Sequence, residues 1–381
     1  MLKNLSIYLH IPFCKKKCAY CNFYRVIWSE AKEKEFLVSL AKEISYYQHI
    51  LPNYQIKTLF IGGGTPSCLS LSGLEELLNI CAYYFNLNSI KEKTIELNPE
   101  SVTYEKLKLI HDFSVNRLSM GIQSMNDTEL AILGRIHTSA EAERALSLFK
   151  DLGFLNFNLD YMFGLPGATP ESTSASIVKL LAYEPTHLST YALSIEEQTK
   201  FKKKNQPIIT ELESLKIFRF LRGFLKKNDF NHYEVSNFAK NNFNCLHNLN
   251  YWQGGAYLGF GPGAHSYFEG KRFANPSSLN FYLQESKPII AKYKKKSSKY
   301  DEIINFLLCQ LRLLDGFKLS LYKEVFGRNF LHDFQIPIKK LTASKLLKIT
   351  NDKAKVTAKG LYLLDTVLEE LVLGLTQQSK K

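Results

Sequence analysis

The chain has 381 residues, 45% hydrophobic and 22% charged, which excludes a disordered polymer and allows one large domain plus a smaller one. No window of about 18 apolar residues runs free of charge, which argues against a membrane-spanning helix. The amino terminus lacks the basic-then-apolar order of a secretion signal, so a cytoplasmic location is the expectation. The net charge of +13 excludes little. With nine arginines among 49 basic residues, it rests on dispersed lysines with short runs at Lys202–Lys204 and Lys294–Lys296. That reads as a solvated surface able to attract carboxylate ligands or acidic electron carriers, not as a nucleic-acid reader.

In chain order, β-rich runs at Ser6–Ile11, Lys57–Ile61, Thr94–Leu97, Asn116–Ile122, Phe154–Met162 and His187–Leu193 alternate with helical stretches. Ala140–Leu152 carries apolar residues at helical spacing, and Pro170 opens another helix after a glycine loop. Six strands separated by helices predict a parallel sheet, because parallel neighbours need long crossovers. The residues of chemical interest follow the strand ends, which favours a barrel-like α/β fold.

The pattern changes after about Ser194. Glu211–Lys227 reads as a helix, 233–285 as an irregular, aromatic- and glycine-rich extension, and 286–299 as a linker. Residues 300–381 read as a small, mostly helical module. There Ile303, Ile304, Leu307, Leu308, Leu311 and Leu314 form an apolar face, Leu346–Val356 a hairpin and Thr357–Leu373 a last helix, an order resembling a winged helix. With these boundaries, 1–232 forms the core barrel.

Three of the seven cysteines fall in H-I-P-F-C-K-K-K-C-A-Y-C-N-F, as Cys14, Cys18 and Cys21. Such a cluster in an otherwise scattered set suggests a metal or cofactor site in a reducing compartment, not a disulfide framework. Zinc sites usually match one C-x2-C pair with another, and no second pair exists here. Three thiolates on one loop can each bind one iron of a [4Fe-4S] cubane. Residue 23, where a related pattern places another cysteine, is Phe23, so the fourth iron is left open. S-adenosylmethionine (SAM) can fill it through its amino and carboxylate groups, cluster and SAM supplying the chemistry that the protein positions.

With H-I-P-F-C, I-G-G-G-T-P-S, E-L-N-P-E, R-L-S-M-G-I-Q-S, L-G-R-I-H, D-Y-M-F-G-L-P and H-N-L-N-Y-W in this order, the sequence resembles the radical SAM superfamily. Within it, the chain is similar to the group around the oxygen-independent coproporphyrinogen III oxidase, and in that group to the HemW branch, regarded as heme chaperones. The resemblance runs from Tyr8 to the final helix. It implies an incomplete (β/α)6 TIM-like barrel with a carboxy-terminal module. It also implies that Gly63, Gly64 and Thr65 contact the methionine part of SAM, that Tyr8 and Tyr20 lie against the cofactor, and that Glu96, Gln123, Arg135 and Asp160 make polar SAM contacts.

The H-N-x-x-Y-W match implies heme contact by His247, Asn248, Tyr251 and Trp252, with His247 as axial ligand or nearest polar group to the iron. Alone, a histidine among aromatics is more often a packed core residue. Cys245 and His265 are rival ligands, whereas Cys68, Cys81 and Cys309 read as packing thiols.

The functional expectation is a heme-binding chaperone with a SAM-coordinated cluster. Its partners would be heme, an electron donor and heme-acceptor proteins, membrane-associated or not, and no nucleic acid. The alternative is a coproporphyrinogen III oxidase-like enzyme. Against it stand Phe23 and the position of Tyr8 in the first strand, where the oxidase has an extension ahead of that strand. A nucleic-acid-modifying protein using the carboxy-terminal module is a third class without a base-reading motif behind it.

Overall fold

In the computed structural model, which describes residues 2–197, 199–203, 209–284 and 298–378, all six expected strands form. They are β1 (Lys3–Ile11), β2 (Tyr54–Gly63), β3 (Glu92–Leu97), β4 (Arg117–Gln123), β5 (Phe157–Phe163) and β6 (His187–Ala192). They pair in sequence order, each parallel to the next. Between them run helices that include α1 (Glu30–Tyr46), α2 (Leu71–Tyr84), α3 (Tyr104–Asp112), α4 (Asp127–Leu133), α5 (Ser139–Asp151) and α6 (Pro170–Leu181).

Local chemistry sets these boundaries. Thr138 and Glu141 form a capping box at α5, Thr169 caps α6 ahead of Pro170, and each cap contributes about 1 kcal/mol. Strand periodicity does the rest. In β1, Leu5, Ile7, Leu9 and Ile11 are fully buried in the apolar core. Ser6, Tyr8 and His10 point the other way, where Thr58 of β2 donates a hydrogen bond to Ser6.

The stretch 233–285 is not the irregular extension its sequence predicts. Helix α7 (Glu211–Lys227) leads into a hairpin, β7 (Asn231–Glu234) and β8 (Asn237–Ala239), which adds antiparallel to β6. A short helix α8 (Leu246–Trp252) follows. Then β9 (Tyr257–Phe260) pairs parallel to β1, and β10 (His265–Phe268) and β11 (Lys271–Ala274) extend that edge. These strands are too short and too often broken by glycine to repeat an alternation. The exposed edges of β1 and β6 supply the partners that make them strands. The result is an open 11-stranded sheet in the order β11-β10-β9-β1-β2-β3-β4-β5-β6-β8-β7, an incomplete barrel.

The carboxy-terminal module contains α9 (Lys299–Gln310), β12 (Phe317–Lys318), α10 (Leu319–Phe326), α11 (Gln335–Ala343) and the hairpin β13 (Leu347–Ile349) to β14 (Lys353–Val356). Its sheet order, β12-β14-β13, is winged-helix-like. Phe306, Phe317, Tyr322 and Phe330 pack edge to face at its centre. The expected final helix is two, α12 (Ala358–Tyr362), capped by Thr357, and α13 (Leu364–Gln378), broken at Leu363. The module docks on the barrel where Leu313 bridges Glu234 and Val235 N–H donates to Arg312 O. Of the expected linker, 286–297 lie outside the described residues, as do Lys204 and Lys294–Lys296; Ser298 and Lys299 already belong to the cap and first turn of α9.

Candidate functional site

The cysteine loop closes on itself. Phe13–Cys14 pairs in parallel with Val26–Ile27, and Trp28 N–H donates to Cys14 O at 3.0 Å. Between these ends Arg25 donates to the carbonyls of Phe23 and Cys21, at 2.5 and 2.6 Å. Ala19 N–H reaches Leu133 O at the end of α4. The loop is thereby held at the carboxyl ends of the strands, and Cys14, Cys18 and Cys21 all line one cavity of about 580 Å³.

Burial pushes the Cys14 thiol up to about 11, opposed by its contact with the Thr65 hydroxyl at 3.5 Å. Burial also raises Cys21, opposed by Arg25. Thiols held this way surrender their protons to a cation, not to water. Among the described residues no three His, Cys, Asp or Glu side chains converge as ligands of a single ion do. Three thiols spread around a cavity suit a cluster that offers each its own iron.

The expected SAM residues mostly meet on the same cavity: Tyr20, Gly63, Gly64, Thr65, Glu96, Gln123, Arg135 and Asp160 all line it. Glu96 Oε2 accepts from Gly63 N–H at 3.0 Å, and Gly63 holds φ +114°, a conformation that disfavours other residues. Gln123, at the end of β4, has φ +71° and a buried Oε1 without a partner. An unpaired buried acceptor on a strained backbone marks a place built to receive a donor.

Arg135 donates to Asn98 Oδ1 and Gly121 O, both at 2.8 Å, and points Nη1 at Cys18 Sγ, 3.6 Å away. Burial works against its charge, but Tyr20, Cys18 and Glu100 outweigh it and raise its pKa. Asn98 also donates to Thr65 Oγ1 at 2.8 Å, so it ties the glycine loop to the arginine. Asn98 and Glu100 both lie in the E-L-N-P-E motif, from which the sequence reading singled out only Glu96. Ser189 and Tyr191 line the cavity from β6 and carry no sequence signal beyond their strand.

Burial first, then the Asp160 charge, pushes the Glu96 carboxyl up from 4.5 to about 8; burial likewise raises Asp160. The folded protein therefore binds the Glu96 proton more tightly than the unfolded chain does. Its contribution to stability is full below about pH 4.5 and is lost as pH rises through about 8. In cluster-free and SAM-free protein, urea unfolding should show stability falling across that window, with a flatter profile for Glu96→Gln. Identical profiles for the two proteins would contradict the assignment.

Helix α8 splits its expected heme residues between two faces. Asn248 and Trp252 line the cavity. His247 and Tyr251, one residue earlier on the same helical repeat, turn toward β2. His247 is 1% exposed, with Nδ1 2.7 Å from Thr58 Oγ1 and Nε2 2.8 Å from the Tyr251 hydroxyl. Thr58 gives its hydrogen to Ser6, so Nδ1–H donates to Thr58 and Nε2 accepts from Tyr251. Burial holds the ring neutral, its pKa down to about 3.

With both nitrogens engaged and none facing the cavity, His247 is the packed core residue of this arrangement, not a free axial ligand. Tyr251 and Tyr8 also stay off the cavity; the Tyr8 hydroxyl sits 3.1 Å from His10 Nδ1. Nor do the rival ligands reach it. Cys245 is fully buried, its Sγ 3.6 Å from Glu92, and His265 is exposed on β10. Cys68 and Cys81 are buried in the apolar core and Cys309 is partly buried.

Residues 8–178 match the Radical SAM superfamily and residues 298–363 the HemN C-terminal domain. The chain is 32% identical to the heme chaperone HemW of Lactococcus lactis over 375 residues, covering 97% of this chain and 98% of that protein. It is 37% identical to the heme chaperone HemW of Escherichia coli over 266 residues, 69% of this chain and 70% of that one. Among solved structures, coproporphyrinogen III oxidase (HemN) from Escherichia coli, a radical SAM enzyme, superposes with a TM-score of 0.81. That match is at 22% identity over 97% of this chain and 90% of that one, a likeness of fold.

Proposed function

Because the chain belongs to the HemW family of the radical SAM superfamily, we propose that it is a heme chaperone. In this reading it carries a SAM-coordinated [4Fe-4S] cluster and delivers heme to acceptor proteins. The observation that carries the reading is the single cavity gathering three free thiols, Arg135, Glu96 and Asp160. Cys14, Cys18 and Cys21 hold three irons, and SAM takes the fourth. When bound, the pair supplies electron-transfer and radical chemistry.

The chain's own groups orient it. Gly63, Gly64 and Thr65 line the methionine side, Tyr20 closes the loop side, and Glu96 and Asp160 accept from amino or ribose hydroxyl donors. The unpaired Gln123 oxygen accepts one more donor. Arg135 is engaged by Asn98 and Gly121, and its remaining fork faces Cys18. That supports a role at the cluster sulfur rather than on the SAM carboxylate. Of the H-N-x-x-Y-W residues, only Asn248 and Trp252 are left to touch a ligand in this cavity, while His247 and Tyr251 hold α8 in place.

Lys15, Lys16 and Arg25 also line the cavity, which supports an acidic electron donor. The seven cysteines are all free, which fits a reducing, cytoplasmic setting. No helix among the described residues is long and apolar enough to cross a membrane. The division at 1–232, 233–285 and 300–381 stays part of this reading, although the middle segment adds its strands to the barrel's sheet.

The test is anaerobic reconstitution, heme titration and transfer to candidate acceptors. Heme binding without coproporphyrinogen turnover supports the chaperone, and turnover favours the oxidase instead. A second measurement checks the open iron. SAM added to the reduced cluster should change its electron paramagnetic resonance signal. Glu96→Ala should weaken SAM binding about tenfold while iron content stays at the parent level, the size of one lost charged hydrogen bond. No spectral response in the parent would count against SAM at this site.

A further inference from the structure

Below the cavity that holds the cysteines lies a layer of buried polar side chains with no role in the site so far. Asn158 of β5 pairs in register with Ser119 of β4 and with His187 of β6, and it sits two residues before Asp160 on the same face of its strand. Asn158 and His187 are 2% and 0% exposed, and neither lines the cavity that Asp160 lines.

The hydrogen bonds through this layer run in one direction. The Asn158 amide gives its Nδ2 hydrogens to Ser119 Oγ at 2.8 Å and to Asp160 Oδ1 at 2.7 Å. Its Oδ1 faces His187 Nδ1 at 2.6 Å and accepts from the Ser189 hydroxyl at 3.0 Å. The imidazole therefore donates from Nδ1 and accepts at Nε2, 2.8 Å from the Tyr233 hydroxyl. The Tyr233 oxygen in turn accepts from the backbone N–H of Cys245, the N-cap of α8, at 3.2 Å. Burial first, then the Arg117 charge, keeps the ring neutral, as one donor and one acceptor nitrogen require.

An amide has nearly the same shape either way round, so packing does not orient it and hydrogen bonds must. Turned over, Asn158 would set its NH2 group against the His187 N–H and its oxygen against the Asp160 carboxylate. The imidazole thus decides that Asp160 meets a donor from below. Ser189 and Tyr191 also act on Asp160, but both line the cavity and are free to turn toward an arriving ligand. Asn158, held from behind by His187, is not.

We propose that His187 is a positioning residue for SAM, acting through Asn158 to keep a donor on Asp160 Oδ1 so that the carboxylate presents its other oxygen to the ligand. The proposal rests on the reading of SAM as an occupant of this cavity. It also ties the SAM seat to the start of α8, because the same row of hydrogen bonds ends on the Cys245 amide.

SAM titration of the reduced, cluster-loaded protein, read by electron paramagnetic resonance, tests it, with iron content and the urea midpoint measured beside it. His187→Leu removes the Nδ1 donor and should weaken SAM about tenfold at parental iron content, the size of one buried hydrogen bond lost. His187→Asn puts an amide nitrogen near the Nδ1 position and should recover most of that affinity. Packing alone predicts the opposite order, since leucine fills the buried space and asparagine leaves more of it empty. SAM affinity in His187→Leu equal to the parent's overturns the proposal, and so does an equal loss in both variants. Should His187→Leu fail to hold its cluster, Tyr233→Phe decides. Lacking one hydroxyl, it should bind SAM about threefold more weakly at unchanged iron content, and parental affinity overturns the proposal. A parent protein without a SAM response removes the SAM reading itself, and the role of His187 with it.

Discussion

Cys18→Ala protein, reconstituted anaerobically with iron and sulfide, is expected to hold no cluster. Three thiols face the cavity, and a cubane with an open iron needs all three. Among the described residues that line the cavity, no other thiol stands by to replace one of them. Residue 23 is Phe23, 71% exposed at the rim, and its ring is no ligand. Cys68 lies near Cys14, but it is buried outside the cavity, and burial pushes its thiol up to about 12. The Arg135 guanidinium, aimed at the Cys18 sulfur, would also lose the charge it faces. Iron and sulfide analysis is the check. Full occupancy in the Cys18→Ala protein would refute the ligand assignment, and Cys14→Ala and Cys21→Ala should behave alike.

The second large effect is expected at a residue that touches no ligand. Glu92, 5% exposed on β3, accepts from the backbone N–H groups of Leu246 and His247 at 2.8 and 2.9 Å. It thereby caps the first turn of α8, and Arg117, 2% exposed, lies close enough to feel its charge. Glu92→Ala leaves the amides of Leu246 and His247 without their acceptor and takes one of the nearby acidic groups from the buried Arg117 guanidinium, Asp160 remaining. Penalties of this kind run to about 3 kcal/mol, and the helix that presents Trp252 to the cavity loses its anchor. Anaerobic urea unfolding should show the loss as a lower midpoint. Glu92→Gln, which keeps an acceptor oxygen, should lose less. A Glu92→Ala protein within about 0.5 kcal/mol of the parent, the range of ordinary surface substitutions, would mean that α8 is held by its packing alone.

Both effects trace back to what is local in the chain and what is not. Strand and helix periods, the capping boxes that open α5 (Thr138 with Glu141) and α7 (Thr210 with Glu213), the proline at 170 and the cysteine spacing are properties of a few neighbouring residues. Six strands, the helix at 211–227, the hairpin near 347–356 and the cluster loop were therefore legible from sequence alone. The glycine and carboxylate positions at the strand ends were legible too, through motifs whose order is specific.

Other features depended on partners far away in the chain. The short strands of 231–274 exist because β1 and β6 offer open edges. Asn98 became a bridge only once Thr65 and Arg135 met on either side of it. His247 shows the distinction best. Its motif pointed to a ligand, but its Nδ1 is claimed by Thr58, 189 residues away, and its Nε2 by Tyr251. Sequence names the donors and acceptors a chain carries, whereas packing decides which of them are already satisfied. In this arrangement the buried imidazole has both its partners, and the residues of the same short helix that line the cavity are Asn248 and Trp252, on its other face.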